Sequence, residues 1–397
     1  MANYRVVEVH DDQLGVPAGT LVVAVTRGVE NYRFSYSPEF LQHVDSYDID
    51  PDLPRSAGTS LTVANLFGAF TDAAPDRWGR NLIERARPGK LFESSYLFDV
   101  HDNLRQGALR FREDGRWLNP DGTVPRLVNL PALRGLAREV VAGEPRQINQ
   151  AAKELLDVGT SALGGAHPKA SVFDDMGRLC IAKLALDAAD SRNTRNEYAT
   201  LLLAAEVGLR TGPAPTLVHG GDEAEVALII PRFDRTANGG RVAYASAKTL
   251  LGTAEGEKGD WLDIAAVMEE SGGDEADQEE LWRRAALGAA VNNTDDHMRN
   301  HGFLRVDGRW QLSPVFDLNP NTNLRASHST MLDGQDDVQG LINGLPAAAE
   351  AMRVKQSDAR DFLNHVNQTV QDSEWFTADV KDTVRDLHDK AMSAFTR

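Results

Sequence analysis

Asn292-Asn293-Thr294-Asp295-Asp296-His297-Met298-Arg299-Asn300-His301, continued downstream by Trp310-Gln311-Leu312-Ser313-Pro314-Val315-Phe316-Asp317-Leu318, is the stretch on which the fold turns. Its first part is the densest polar cluster of the chain. It follows the alanine-rich helical pattern of residues 281–291 and precedes the apolar Gly302-Phe303-Leu304. A polar run alone is what any soluble loop contains. The continuation changes its meaning, because Asp317 emerges from a second apolar strand, one short hairpin away. Phosphoryl transfer from a nucleotide asks for few groups. One carboxylate orients or deprotonates the attacking hydroxyl, while an amide and a second carboxylate hold magnesium against the phosphates. Asp295 and Asn300 have the D-x-x-x-x-N spacing of a kinase catalytic loop, and Asp317 stands like the metal aspartate of the strand that follows. The spacing alone recurs by chance; the aspartate behind it gives it weight.

Upstream lies Gly159-Thr160-Ser161-Ala162-Leu163-Gly164-Gly165-Ala166-His167-Pro168-Lys169. Glycines let backbone N–H groups approach phosphates closely. The segment begins like a phosphate-binding P-loop, but Gly165 occupies the place of the required lysine, which argues against that class. A hairpin over residues 170–184 follows, its second strand ending Ile181-Ala182-Lys183-Leu184. A glycine-rich loop and then a strand presenting lysine is the kinase device for gripping phosphates; a lysine among apolar residues also snorkels from strand ends. Glu197, on a helix expected over residues 196–207, either pairs with Lys183 or faces solvent. The order of loop, lysine strand, helix and Asp/Asn/Asp favours the kinase. His297 and His301 have the spacing of a zinc-protease helix, but Met298 replaces its essential glutamate, so that chemistry is not expected.

The 397 residues, 42% of them hydrophobic, suffice for two or more compact cores. A formal net charge of −17 repels phosphate backbones, so non-specific nucleic-acid binding is not the main task. Cys180, the single cysteine, excludes an intramolecular disulfide framework and reads as a small buried hydrophobe. The first residues lack the pattern of a signal peptide, and no apolar run approaches the roughly 18 residues of a membrane span. A soluble, cytoplasmic protein is expected.

Alternation at residues 4–9 and 32–36 and the valine-rich residues 20–26 read as strands, and residues 76–86 as a helix with Trp78, Leu82 and Ile83 on one face. The proline-bearing residues 119–131 mark a boundary. After Trp261 the pattern turns helical, and Val380, Val384, Leu387, Ala391 and Phe395 keep helical spacing to the end. The acidic residues 269–280 read as a solvated loop or a helix start. Three regions are expected: an α+β unit over 1–115, a mixed nucleotide-binding lobe over 116–250 and a helical lobe over 251–397.

At these motifs the chain resembles the HipA family of serine/threonine kinases, the toxins of type II toxin–antitoxin pairs. The matching pieces are Gly164 to Lys169, Ile181-Ala182-Lys183, Asn196-Glu197-Tyr198, Arg232-Phe233-Asp234-Arg235, Thr294 to Asn300 and Ser313 to Asp317. Tyr32 to Tyr36 and Pro75-Asp76-Arg77-Trp78-Gly79-Arg80 resemble the family's N-terminal subdomain. The resemblance implies an α+β, protein-kinase-like two-lobed fold with an added N-terminal α+β subdomain and an all-helical C-terminal lobe. It implies ATP and Mg2+, with Asp295 as catalytic base, Asn300 and Asp317 on the metal, and Lys183 on the phosphates. Gly164, Gly165, Ala166, His167, Pro168 and Lys169 would cover the nucleotide. Pro231, Arg232 and Phe233 would form the hinge beside adenine, and His297 and Phe316 would complete the ATP site. An autophosphorylated serine of many relatives falls on or beside Ala162; Ser161 is the nearest hydroxyl, with Thr160 next to it. The hinge carries Pro231 where relatives can have an acidic residue, which removes one N–H donor. Implied partners are a HipB-like helix-turn-helix antitoxin, which would carry the DNA contacts, and a protein substrate such as an aminoacyl-tRNA synthetase. The alternatives are a non-catalytic nucleotide-binding corepressor of the same fold and a small-molecule kinase.

Overall fold

A computed structural model describes residues 4–159, 167–222, 225–254 and 256–396. They divide into two compact units. The first runs to Ser191 and takes in Val218–Ala245; the second comprises Arg192–Leu217 and the chain from Ser246 onward.

The first unit opens with β1 (Tyr4–Asp11), β2 (Val16–Thr26) and β3 (Val29–Tyr36), an antiparallel meander. Arg27 and Gly28 both have positive φ (53° and 80°), the two-residue turn whose twist matches the strands it joins. After α1 (Pro38–Gln42), capped by the Ser37 hydroxyl, β4 (Ser60–Val63) pairs with β3. Three helices follow, α2 (Gly68–Asp72), α3 (Arg77–Ala86) and α4 (Glu93–Asp99). Next, β5 (Leu109–Glu113) pairs with β1, and β6 (Arg116–Trp117) completes the order β4-β3-β2-β1-β5-β6. Strand alternation puts Val7, Val9, Leu21, Val23, Tyr32, Phe34, Tyr36 and Phe111 on one buried face. Phe40, Phe70 and Phe98 meet it through ring contacts of 5.3–5.9 Å.

The rest of the first unit is a second sheet with helices on one face. α5 (Leu130–Ala142) and α6 (Pro145–Asp157) both carry a proline in the first turn, where its missing N–H costs nothing. β7 (Lys169–Phe173), β8 (Leu179–Leu184), β9 (Thr216–His219) and β10 (Val226–Pro231) form a sheet of order β7-β8-β10-β9. Ala170, Val172, Cys180, Ala182, Leu184, Ala227 and Ile229 pack against Leu133, Ala137, Val140, Ala151 and Leu155, with Trp78 and Leu82 of α3 in the same core. By the same alternation Lys169, Ser171, Ile181, Lys183 and Leu228 share the opposite face. α7 (Ala188–Glu206) carries the chain out of this unit, and β11 (Tyr244–Ser246) lies at the last crossing.

In the second unit, α8 (Ala247–Leu251), β12 (Gly259–Asp260), α9 (Trp261–Glu270) and α10 (Glu275–Ala290) precede the hairpin β13 (Gly302–Val306) and β14 (Arg309–Leu312). β15 (Thr330–Met331) pairs in parallel with β12. From Val338 the chain is helical, through α11 (Val338–Ala351), α12 (Gln356–Asp372) and α13 (Ala378–Ala394), all packed on α10. The indole N–H of the fully buried Trp282 donates to the Leu345 carbonyl (3.1 Å). The acidic stretch 269–280 contains the start of α10, where Asp274 accepts from the Asp277 N–H (3.0 Å). It is not wholly solvated: Asp277 is 1% exposed and pairs with Arg210 and Arg309. No helix of the described residues is long and apolar enough to cross a membrane.

Candidate active site

The polar loop hangs from the end of α10. The Asn293 N–H donates to the Gly288 carbonyl (2.8 Å) and the Asn292 N–H to that of Ala289 (3.2 Å), with Asn292 left-handed at φ 54°. This paired closure ends a helix cleanly, and asparagine is among the few non-glycine residues that accept its backbone. The Asn292 side chain is fully buried. Its Nδ2 donates to the carbonyls of Asn321 (2.7 Å) and Asn323 (3.2 Å), so its Oδ1 faces His328 Nε2 (3.0 Å) as acceptor. The Thr294 carbonyl accepts from the N–H (3.0 Å) and hydroxyl (3.1 Å) of Ser329. The helix end and residues 317–330 are thereby stitched together on both sides of the loop.

Asp295 is exposed. Asn300, only 9% exposed, donates from Nδ2 to the Asp295 carbonyl (3.0 Å). An amide whose N–H end is so engaged has its oxygen left for a cation. Asp317 is half-buried and left-handed at φ 58°, which ends the extended run after Phe316.

Residues 312–315 are held by two residues the sequence did not single out. Arg284, buried in α10, donates to the Ser313 carbonyl (2.6 Å) and to Glu280 (2.8 Å). Arg210 donates to the Leu312 carbonyl (2.9 Å) and to Asp277 (3.0 Å), while its own carbonyl accepts the Val315 N–H (2.9 Å).

Asp296 is a different kind of group from its neighbour. Burial, reinforced by the carboxylates of Asp317 and Asp295 and opposed by Arg284, pushes it up to about 8. Both effects favour its neutral form. His301, its ring 4.3 Å from that of Trp261 and tilted to it by 58°, is pushed down to about 3 by burial. Its Nε2 lies 3.4 Å from Asp296 Oδ1, so this is a contact of two neutral groups rather than an ion pair. His297 is half-buried beside them.

The first unit holds the other expected ligands. Lys169 and Lys183 stand directly opposite on β7 and β8, Lys169 buried and Lys183 half-buried. His167 is exposed, its Nδ1 3.8 Å from Asp190, and Pro168 accepts the Leu184 N–H (2.9 Å). Gly164, Gly165, Ala166 and Ser161 lie outside the described residues. Pro231 ends β10. The Arg232 guanidinium is committed elsewhere, to Asp234 (2.8 Å) and the Leu104 carbonyl (2.6 Å), and its backbone N–H donates to the Leu179 carbonyl (3.0 Å), which leaves its own carbonyl for a base. Asp234 also accepts from Arg235 (2.9 Å) and the Gly107 N–H (2.8 Å), and these cations hold its carboxyl below the usual range. Phe233 lies 6.2 Å from Tyr244, ring to ring. Glu197 is 4% exposed, which removes the solvent-facing reading of that residue.

Among the described residues no three His, Cys, Asp or Glu side chains converge on one metal position. Magnesium does not require such a cage, since it is usually bound by one or two carboxylates together with phosphates and water. The free amide oxygen of Asn300 and the Asp317 carboxylate fit that donor set.

A family profile described as the HipA-like C-terminal domain matches residues 161–375. No curated protein sequence matches the chain. Among solved structures, HipA of Shewanella oneidensis MR-1, crystallised with HipB and its operator DNA, superposes with a TM-score of 0.69 at 16% identity, covering 98% of this chain and 97% of that one. The Helicobacter pylori proinflammatory kinase CtkA covers 58% of this chain and 93% of its own at a TM-score of 0.40 and 14% identity. The α+β, kinase-like fold expected from the motifs is the fold found, and the chain belongs to the HipA family.

Proposed function

We propose that this chain is an ATP-dependent protein kinase that phosphorylates serine or threonine hydroxyls. Asp295 orients and deprotonates the acceptor hydroxyl, Asn300 and Asp317 hold Mg2+, and Lys183 with Lys169 meets the phosphates. The observation that carries this reading is the pairing within one loop. Asp295 is open to an incoming hydroxyl, while its own carbonyl fixes Asn300 by the N–H end of the amide, which leaves the oxygen end for a cation. When bound, Mg2+ would neutralise charge on the transferred phosphoryl group. Asp296 is buried where Asp295 is exposed, which supports Asp295 as the base of the pair.

We further propose that the chain is the toxin of a HipA/HipB-like pair. Its partner is a HipB-like helix-turn-helix antitoxin, through which any DNA contact is made, and its substrate is a translation component such as an aminoacyl-tRNA synthetase. The Shewanella HipA structure contains HipB and operator DNA. A net charge of −17 suits a chain that leaves DNA to its partner.

The test is phosphate transfer from labelled ATP by purified protein. Asp295→Ala and Asp317→Ala should each lower transfer by about 10²–10⁴-fold, the usual contribution of a general base or of fixed charge stabilisation. Transfer at the wild-type rate by both variants would refute the assignment. Phosphoproteomics after expression of wild type and Asp295→Ala would identify the substrate.

A further inference from the structure

The motif Pro75 to Arg80 has no part in the site described so far, yet one of its residues reaches the strand that leaves the glycine-rich segment. The Leu184 N–H donates to the Pro168 carbonyl (2.9 Å). Hydrogen-bonded and non-bonded pairs alternate along an antiparallel ladder. The next pair, Lys169 opposite Lys183, is therefore a non-bonded one, whose side chains stand at the closest cross-strand spacing. β7 is an edge strand, so the backbone groups of Lys169 point away from β8, to where a further strand would lie. There the Trp78 indole N–H donates to the Lys169 carbonyl (3.2 Å). At the other end of β7 the Phe173 N–H donates to the Pro125 carbonyl (2.8 Å).

Trp78 is itself firmly supported. It is 5% exposed and part of the core beneath the sheet. Two residues on, Arg80 forms a bidentate pair with Glu93 (2.7 Å for each bond), donates to the Pro75 carbonyl (2.9 Å) and lies 4.5 Å over the Tyr96 ring.

We propose that Trp78 is a positioning residue for the nucleotide phosphates: its hydrogen bond fixes the start of β7 so that Lys169 and Lys183 present their ammonium groups to one polyphosphate. The inference rests on the proposed ATP site. β7 has no further strand of its sheet on its outer side, and such an edge opens more readily than a central strand. The indole bond holds the pair together before the anion arrives, so nucleotide binding does not have to order the edge.

The test compares Mg-ATP with adenosine, a phosphate-free probe, by calorimetry on the full-length chain. Trp78→Phe keeps a buried ring and removes the N–H. Its affinity for Mg-ATP should fall about three- to tenfold, the scale of one net hydrogen bond, with adenosine affinity unchanged. The KM for ATP should rise by the same factor with kcat retained. Unchanged ATP affinity overturns the inference, and so does an equal loss for both ligands, which would mark Trp78 as packing alone. Benzothienylalanine at position 78 replaces the N–H by sulfur in a ring of nearly the same shape, and it decides the matter if the phenylalanine variant fails to fold. A wild-type chain that binds no ATP would instead sink the proposed function, which separates the two failures.

Discussion

Asn292→Ala isolates the joint from which the proposed catalytic loop hangs. Three losses add up. Alanine at φ 54° costs about 1 kcal/mol relative to residues that tolerate the left-handed region. The half-buried Asn321 carbonyl loses its donor, about 1 kcal/mol, and the buried His328 Nε2 loses its acceptor, about 1–2 kcal/mol. Asn323 is exposed and recovers a water, so it adds little. The sum is about 3–4 kcal/mol. Asn292→Gly restores the backbone but not the side-chain bonds, and should recover about 1 kcal/mol of that loss. Urea unfolding followed by tryptophan fluorescence weights the second unit, which carries Trp261, Trp282, Trp310 and Trp375 against Trp78 and Trp117 in the first. The midpoint for Asn292→Ala should drop by about 1–2 M, with glycine in between. If alanine and glycine unfold together, the left-handed strain is not what the geometry says. If alanine unfolds with wild type, the stitching of the helix end to residues 321–328 carries no energy, and the account of how the loop is held is wrong.

Asp50, 2% exposed, is pushed up to about 6 by burial despite accepting from the Ala69 and Asp52 N–H groups. A folded value above the unfolded one stabilises most at low pH. Its contribution is complete below about pH 4 and fades as pH rises through 6, by roughly 2–3 kcal/mol in all. Asp50→Asn should remove that part of the pH dependence, seen by comparing urea midpoints of the two proteins at pH 4.5 and 7; an unchanged difference rejects it. Arg284→Met leaves Glu280 buried without its cation and should cost about 3–5 kcal/mol, part of which Glu280→Leu in the same chain restores. Stability equal to wild type in the single variant would contradict this. Cys180 is fully buried and its thiol is pushed up to about 12, so a thiol reagent should label it only as fast as the chain opens. Rapid labelling of folded protein would show the core of the second sheet to be open.

The sequence carried the chemistry more plainly than the supports, and the reason is physical. Asp295 and Asn300 must sit in one loop, because the amide has to reach its neighbour's carbonyl, and a fixed spacing records that need. The alternating strands and the face of α3 were legible for a similar reason, since burial on one side imposes a period. The helix α5 was not, because the proline-bearing residues 119–131 read as a boundary, whereas Pro131 lies in the first turn of a helix. The clamps on the loop left still less trace. Arg284 meets Ser313 across 29 residues, Asn292 meets His328 across 36, and Arg210 meets Leu312 across 102. Each supplies a donor or acceptor to a backbone or imidazole group that many side chains from many places could satisfy. A base, an amide and a metal carboxylate have no such substitutes. The residues proposed for catalysis are legible because that chemistry restricts both type and spacing, whereas a support restricts neither, and only the folded chain says which residue was used.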